Sequence, residues 1–266
     1  MNLGPVGSSI LLKLAGAGRT VFRVDEAPSL VGLSREVTRD RLKTLEQQGW
    51  VKRLARGLYL LVPLEAGPQR AWTEDPAIIA CQLMRPSYLS FWSALHFHGL
   101  TEQVPRVVTL ATRRYHAPVE ILGMRYMFTA LTGRKFFGFE PTWVGHQRVP
   151  IATPEKAILD SLDHPARAGG MSEVAKALVS RGKKLDSRRL LHDLAGMKVG
   201  AVAKRLGYLL EILEMETDLL EPVKTEVRAG YSLLDPSLPA RGPYLARWNL
   251  RLNVSADEIL GGIGTW

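Results

Sequence analysis

The amino-acid sequence predicts an α+β fold in two unequal parts, and three observations carry that expectation. The 266 residues are 46% apolar, enough to fill a substantial core and too apolar for wholesale disorder. A strand-like run from Leu58 to Val62 gives way to Pro63-Leu64-Glu65-Ala66-Gly67-Pro68, a proline- and glycine-bounded loop that marks a boundary. Beyond it, helical and strand patterns interleave without a regular βα rhythm, which favours an α+β arrangement over a doubly wound sheet. The expected partition is residues 1–66 and residues 67–266, with no internal repeat and no low-complexity tract.

In the first part, Ser8 or Ser9 is placed to cap a short apolar helix through Leu14 that stops at Gly16 and Gly18. Val21 to Val24 alternates like a short strand. Asp25 is the expected cap of a second helix containing Ala27, Leu30 and Val31, closed by Gly32. Ser34 is the expected cap of a third, longer helix to about Gln48, with Gly49 as its stop. Within it Thr38, Leu42 and Leu45 fall at i, i+4 and i+7, a single buried stripe. Trp50 to Leu54 and Leu58 to Val62 are rich in strand formers, and Ala55-Arg56-Gly57 supplies the turn between them. Three helices and a terminal hairpin spell a winged helix-turn-helix.

In the larger part the pattern predicts helices over Asp75 to Met84, Leu89 to His98, Pro154 to Leu162, Met171 to Ser180, Ser187 to Leu194 and Val199 to Glu214. Thr153 followed by Pro154 suits a cap and a first helical position. Strands are expected at Val107 to Ala111, Arg125 to Phe128 and Arg247 to Val254, the last alternating Trp248, Leu250, Leu252 and Val254.

Charge narrows the choice of partner. There are 35 Lys and Arg against 26 Asp and Glu, a net charge of +9, which favours a polyanion such as nucleic acid. Ser34 to Gly57 holds seven basic residues and three acidic ones. Arg35, Arg39 and Lys43 follow one another along a helical edge beside the buried stripe. An α-helix fits the major groove of duplex DNA, where Arg donates two hydrogen bonds to guanine and an apolar group such as Val37 meets a thymine methyl. Lys52, Arg53 and Arg56 on the hairpin would reach phosphates beside it, and Ser34 adds a phosphate contact at the helix N-terminus. The competing reading pairs Arg35 and Arg39 with Glu36, Asp40 or Glu46 as an ordinary solvated face. A second basic run, Arg181 to Arg205, carries eight Lys and Arg against Asp186 and Asp193, and reads as a phosphate surface, a docking face for an acidic partner, or helix ends that favour cations.

Other chemistry is poorly signalled. The single cysteine, Cys81, excludes an internal disulfide and a thiolate zinc cluster. No apolar run approaches the roughly 18 to 20 residues that span a bilayer, and the expectation is a cytoplasmic, soluble protein. His96 and His98 stand two apart, so on a helix they face different ways and read as packing residues rather than as shared metal ligands. Asp160 and Asp163 with Glu155 read as outward carboxylates of one helix. No nucleophile elbow, phosphate-cradling loop or zinc helix motif is present. The sequence calls for no catalytic residue, no metal and no cofactor. The alternative is a metal-dependent nuclease or nucleic-acid-modifying enzyme delivered to its substrate by the winged domain, with Asp160 or Glu155 in the site.

Four segments resemble the AbiEi-type antitoxins, the antitoxin and repressor half of type IV toxin–antitoxin and abortive-infection phage-defence systems. They are the winged segment Leu33 to Leu61 ending in Arg56-Gly57-Leu58-Tyr59, the stretch from Tyr88-Leu89-Ser90-Phe91-Trp92-Ser93-Ala94-Leu95 through His98-Gly99-Leu100-Thr101, Val149 to Asp160 with Pro154-Glu155-Lys156-Ala157, and Lys204-Arg205-Leu206-Gly207-Tyr208-Leu209-Leu210-Glu211. The resemblance implies an autorepressor that binds inverted repeats in its own promoter and a C-terminal domain that counteracts a nucleotidyltransferase-like toxin, with or without a stable complex. By the same resemblance Ser93, His96, His98 and Arg205 become candidates for the work of the C-terminal domain, set against their packing reading. With no heptad or apolar seam for a dimer, the expected state is a monomer in solution that pairs on DNA.

Overall fold

Local signals start and stop most elements of the N-terminal part. The computed structural model describes residues 3–70, 72–181, 185–215 and 217–263. Helix α1 (Gly4–Gly16) begins one turn before the two serines, because Pro5 suits the first turn; the Ser8 hydroxyl donates back to the Gly4 carbonyl at 3.0 Å, so neither serine is the cap. Strand β1 (Val21–Arg23) leads into α2 (Ala27–Val31), whose N-cap position is Glu26 rather than Asp25 and makes no side-chain bond. Gly32 closes α2 with a φ of 72°, a left-handed conformation that favours glycine. Ser34 then caps α3 (Arg35–Gln47), its Oγ accepting from the Val37 amide at 3.3 Å, and α3 buries Thr38, Leu42 and Leu45 as its periodicity predicts.

Strands β2 (Val51–Ala55) and β3 (Leu58–Leu61) form the hairpin, and β1 adds to β3 to give a sheet in the order β1-β3-β2. All four residues of β3 are buried. Tyr59 and Leu61 pack with Ile10, Leu14, Phe22 and Leu42 in a small core, whereas Leu58 and Leu60 join Val21 in the large one. Successive side chains of a strand point to opposite faces, so one strand serves two cores.

The larger part begins with α4 (Pro76–Leu83), capped by Asp75, which packs against β1 on one side and against the central sheet on the other. That sheet is built from β4 (Ser87–Leu89), β5 (Val107–Thr112), β6 (Val119–Ile121), β7 (Met124–Ala130), β8 (Phe139–Val144) and β9 (Gln147–Ala152), in the order β6-β7-β5-β4-β9-β8. Pairs β5/β7 and β4/β9 are parallel and the remainder antiparallel. The hairpin of β8 and β9 escapes the sequence pattern because each strand carries a proline, Pro141 opposite Pro150, with Pro141 on the sheet edge where a missing amide is tolerated.

Between β4 and β5 lies α5 (Phe91–Phe97); after the sheet come α6 (Pro154–Asp163), α7 (Met171–Arg181), α8 (Ser187–Met197), α9 (Gly200–Ile212) and α10 (Thr217–Thr225). A small sheet of β10 (Ser232–Leu233), β11 (Tyr244–Leu245) and β12 (Leu250–Arg251), then α11 (Ala256–Gly261), complete a mixed α+β fold. Helix α6, buried from Glu155 to Leu162, is surrounded by α5, α7, α8, α9 and β9.

The strand expected at Arg247 to Val254 is cut down to the two residues of β12. Trp248 lies in a 3-10 turn and Asn249 adopts a φ of 49°, which breaks the two-residue alternation. The indole is fully buried against α9, where a Cβ on Gly207 would come within 2.2 Å of the ring. Overpacking at such a contact costs about 1–3 kcal/mol, more than the helix preference of Ala over Gly returns. Gly207→Ala therefore lowers the urea midpoint with an unchanged slope; an equal or higher midpoint would show that Trp248 yields freely.

Candidate nucleic-acid interface

The α3 edge beside its buried stripe is open to solvent. Ser34, Arg35, Arg39 and Lys43 are exposed, and Val37 between them is 43% exposed. Among the described residues Arg35, Arg39 and Lys43 make no ion pair, so the solvated-face pairing with Glu36, Asp40 or Glu46 is not what holds them. On the hairpin, Lys52, Arg53 and Arg56 are exposed as well, and β2, which carries the first two, is an edge strand. Arg53 Nε donates to the Ala55 carbonyl at 3.4 Å, while Gly57 turns the hairpin with a φ of 73°. The fold thus brings the predicted cations of helix and hairpin onto one small unit, exposed and unneutralised.

The residues put forward for the larger part are scattered. The Ser93 hydroxyl accepts from the Thr109 amide at 2.8 Å, and the Ser93 amide donates to Thr109 Oγ1 at 3.1 Å, a clamp between α5 and β5. His98 Nε2 donates to the Ala152 carbonyl at 2.7 Å. His96 is exposed, not packed, and shares a shallow recess with Ser93, Asp75 and Phe97. Arg205, only 4% exposed, is spent on backbone carbonyls, donating to Leu162 at 2.7 Å and to Leu233 at 3.0 and 3.1 Å. Burial lowers its readiness to hold a proton, opposed by Asp163 and Asp235.

The basic run from Arg181 to Arg205 is not a continuous surface. Lys204 is buried and donates to the Gly230 carbonyl, Arg205 is buried beside it, and Arg189 pairs with Glu140 at 2.5 Å. Lys183 and Lys184 lie outside the described residues.

Sequence reasoning also missed a buried polar cluster. Asp160, expected to point outward, is wholly enclosed and accepts from Lys156 Nζ, from Ser90 Oγ at 2.7 Å and from the Tyr88 hydroxyl at 3.0 Å. Lys156 Nζ also donates to the Tyr88 oxygen at 3.2 Å. Burial pushes the Asp160 carboxyl above the usual carboxylate range, while the Lys156 ammonium and the hydrogen bonds pull it back. No local signal marks the pair as buried: Lys156, Asp160 and Asp163 share one side of α6, the pattern of a solvated face, and only the elements packed around the helix enclose Lys156 and Asp160. The other carboxylates point elsewhere. Glu155 accepts from the Asp186 amide at 3.0 Å, and Asp163 pairs with Lys135 at 2.5 Å. The three do not converge on one centre. Among the described residues no three His, Cys, Asp or Glu side chains are grouped to hold a metal.

Residues 88–212 match the family model of the AbiEi antitoxin C-terminal domain. This segment is an AbiEi-type antitoxin domain. The match spans the Tyr88 to Thr101, Val149 to Asp160 and Lys204 to Glu211 segments that carry the resemblance in the sequence, and the buried Tyr88, Ser90, Lys156 and Asp160 all lie inside it. The match points to an antitoxin role with a toxin as its counterpart, in a family that is typically regulatory. Among solved structures the chain is similar to the RV2827C protein from Mycobacterium tuberculosis, with a TM-score of 0.68 and 16% identity over 99% of this chain and 96% of that one, a likeness of fold. No curated protein matches.

Removing one partner of a buried ion pair costs about 3–5 kcal/mol. Lys156→Met is expected to lose that much stability at neutral pH in urea unfolding. The abandoned Asp160 would hold its proton more tightly folded than unfolded, where its pKa is about 3.9. Stability of the variant therefore recovers as pH falls from neutrality and is lost as pH rises. A small, pH-independent loss would contradict the structural role given to the pair.

Proposed function

We propose that residues 1–66 act as a winged helix-turn-helix DNA-binding domain and residues 67–266 as the antitoxin domain of a type IV toxin–antitoxin repressor. In this reading the protein is not an enzyme. It works in the cytoplasm, binds inverted repeats in its own promoter as a monomer that pairs on DNA, and counteracts a nucleotidyltransferase-like toxin in phage defence. The observation that carries the reading is the exposed, unpaired edge of α3, with Arg35, Arg39 and Lys43 in a row and the apolar Val37 among them. Arginine and a small apolar group are the side chains that read guanine edges and thymine methyls in the major groove. Lys52, Arg53 and Arg56 supply phosphate contacts, which set register without reading sequence. The AbiEi-type domain downstream supports the antitoxin half.

A mobility-shift titration on the chain's own promoter duplex tests the reading. Arg35→Ala with Arg39→Ala abolishes the preference for that duplex over an unrelated one. Lys52→Ala with Arg56→Ala weakens binding to every duplex and flattens the dependence of log K on log salt by about 2, close to one for each phosphate contact removed. Equal weak binding of the unmodified protein to any duplex would overturn the proposal.

A further inference from the structure

The winged unit carries an apolar groove that neither the α3 edge nor the hairpin cations line. Helix α1 sends Gly7, Ile10 and Leu14 into the small core and turns Leu11 and Leu12 toward the groove. Trp50 and the Val62-Pro63-Leu64 segment after β3 form the facing wall, and the groove holds about 360 Å³. That wall is fixed in place. The Val62 amide donates to the Trp50 carbonyl at 2.9 Å, and the Arg70 guanidinium lies 3.5 Å over the Trp50 ring. A 3-10 turn over Leu64–Ala66, closed by Gly67 with a φ of 69°, holds Leu64 out from the surface. No contiguous sequence pattern shows this groove, because one wall comes from α1 and the other from residues 50–64.

Leu12 on one lip is 72% exposed and Leu64 on the other 78%. Single exposed leucines are ordinary, but two on the lips of one apolar groove make a contiguous patch, the mark of an interaction site. A solvated helix normally carries charge on its outer face. Helix α1 carries only Lys13, whose ammonium is tied back to the Val31 carbonyl at 2.8 Å. Glu65 is the one charged side chain lining the groove among the described residues. The patch thus holds both halves of a self-complementary contact, projecting leucines and an apolar trough to receive them. Two such patches related by a two-fold axis satisfy each other, Leu12 of each copy entering the other's trough beside Leu64. The 13 residues of α1 make a helix about 20 Å long. One face of it with a short turn falls well short of the roughly 800 Å² per partner that a stable dimer needs. Such a contact is too small to join two copies in solution, and it counts once both are held on one duplex.

We infer that the groove between α1 and the Val62-Pro63-Leu64 segment is the seam through which two copies of the chain pair on DNA. This rests on the winged-helix reading of residues 1–66 and gives the second copy its place. A two-fold repeat is matched by a two-fold arrangement of protein, with half-sites one helical turn or a multiple apart. No α3 or hairpin cation lines the groove, so duplex and second copy are held at once. The contact reads no bases. It makes the second copy bind more tightly than the first, by the roughly 5- to 150-fold typical of coupled sites.

The test uses the full chain and two promoter duplexes, one with both half-sites and one with a single half-site. Protein carrying Leu12→Cys is mixed with protein carrying Leu64→Cys on each duplex and oxidised; Cys81, present in both, is buried. A covalent dimer of the two variants is expected on the two-site duplex and little on the single-site one. Leu12→Glu with Leu64→Glu, both at exposed positions, is expected to keep the thermal midpoint and the single-site affinity and to fill the two half-sites independently. Absence of the covalent dimer while both half-sites are occupied overturns the inference and leaves the α3 reading standing. Independent filling by the unmodified protein does the same. If that independent filling comes with uptake of the apolar dye 1-anilinonaphthalene-8-sulfonate, lost in the double Glu variant, the groove belongs to a small apolar ligand instead. If the unmodified protein shows no preference for its promoter duplex, the winged-helix reading fails and the seam with it.

Discussion

Burial of one four-residue strand on both faces sets the relation between the two parts of the chain. Leu58 and Leu60 contribute to the large core while Tyr59 and Leu61 close the small one. Each such side chain is worth about 1.5–3 kcal/mol when removed from water, so neither core is complete without β3. Polar ties reinforce the junction. Arg23 reaches the Gln82 carbonyl, and Gln147 donates to the Gly18 carbonyl at 3.0 Å and to Thr20 at 2.8 Å. The consequence is orientational: α3 has a fixed attitude relative to the AbiEi-type domain instead of swinging on a linker.

That attitude gives the charge distribution its meaning. The sequence-wide excess of +9 resolves into cations that are consumed by structure and cations that are not. Lys156, Lys204 and Arg205 are enclosed and spent on a carboxylate or on backbone carbonyls. Those on α3 and on the hairpin stay exposed without acidic partners among the described residues. The antitoxin domain thus uses its buried charges to hold one arrangement.

Much of the small part was legible because its signals are local. Ser34 before a 3.6-residue stripe and Gly57 between two runs of strand formers are short-range physics, and the resulting elements match within a residue or two. The burial of β3 on both faces was also written in its apolar run, although its partner surface was not. Long-range packing decided what stayed hidden. Asp160 and Lys156 look like solvent-facing charges until α6 is surrounded, and Trp248 looks like a strand residue until it finds Gly207. The second basic run dissolved for the same reason: adjacency in sequence carried no information about which of its side chains the core would take. His96 ran the other way, exposed where packing was expected.

Hydrogen exchange of the free protein, followed by mass spectrometry, tests most directly whether one strand joins both cores. The account predicts that amides of Leu58–Leu61 exchange as slowly as those of β5 and β7, through one shared opening of the whole structure. Exchange across residues 3–62 that is faster by orders of magnitude than in the central sheet, as an independently opening unit would give, would contradict it.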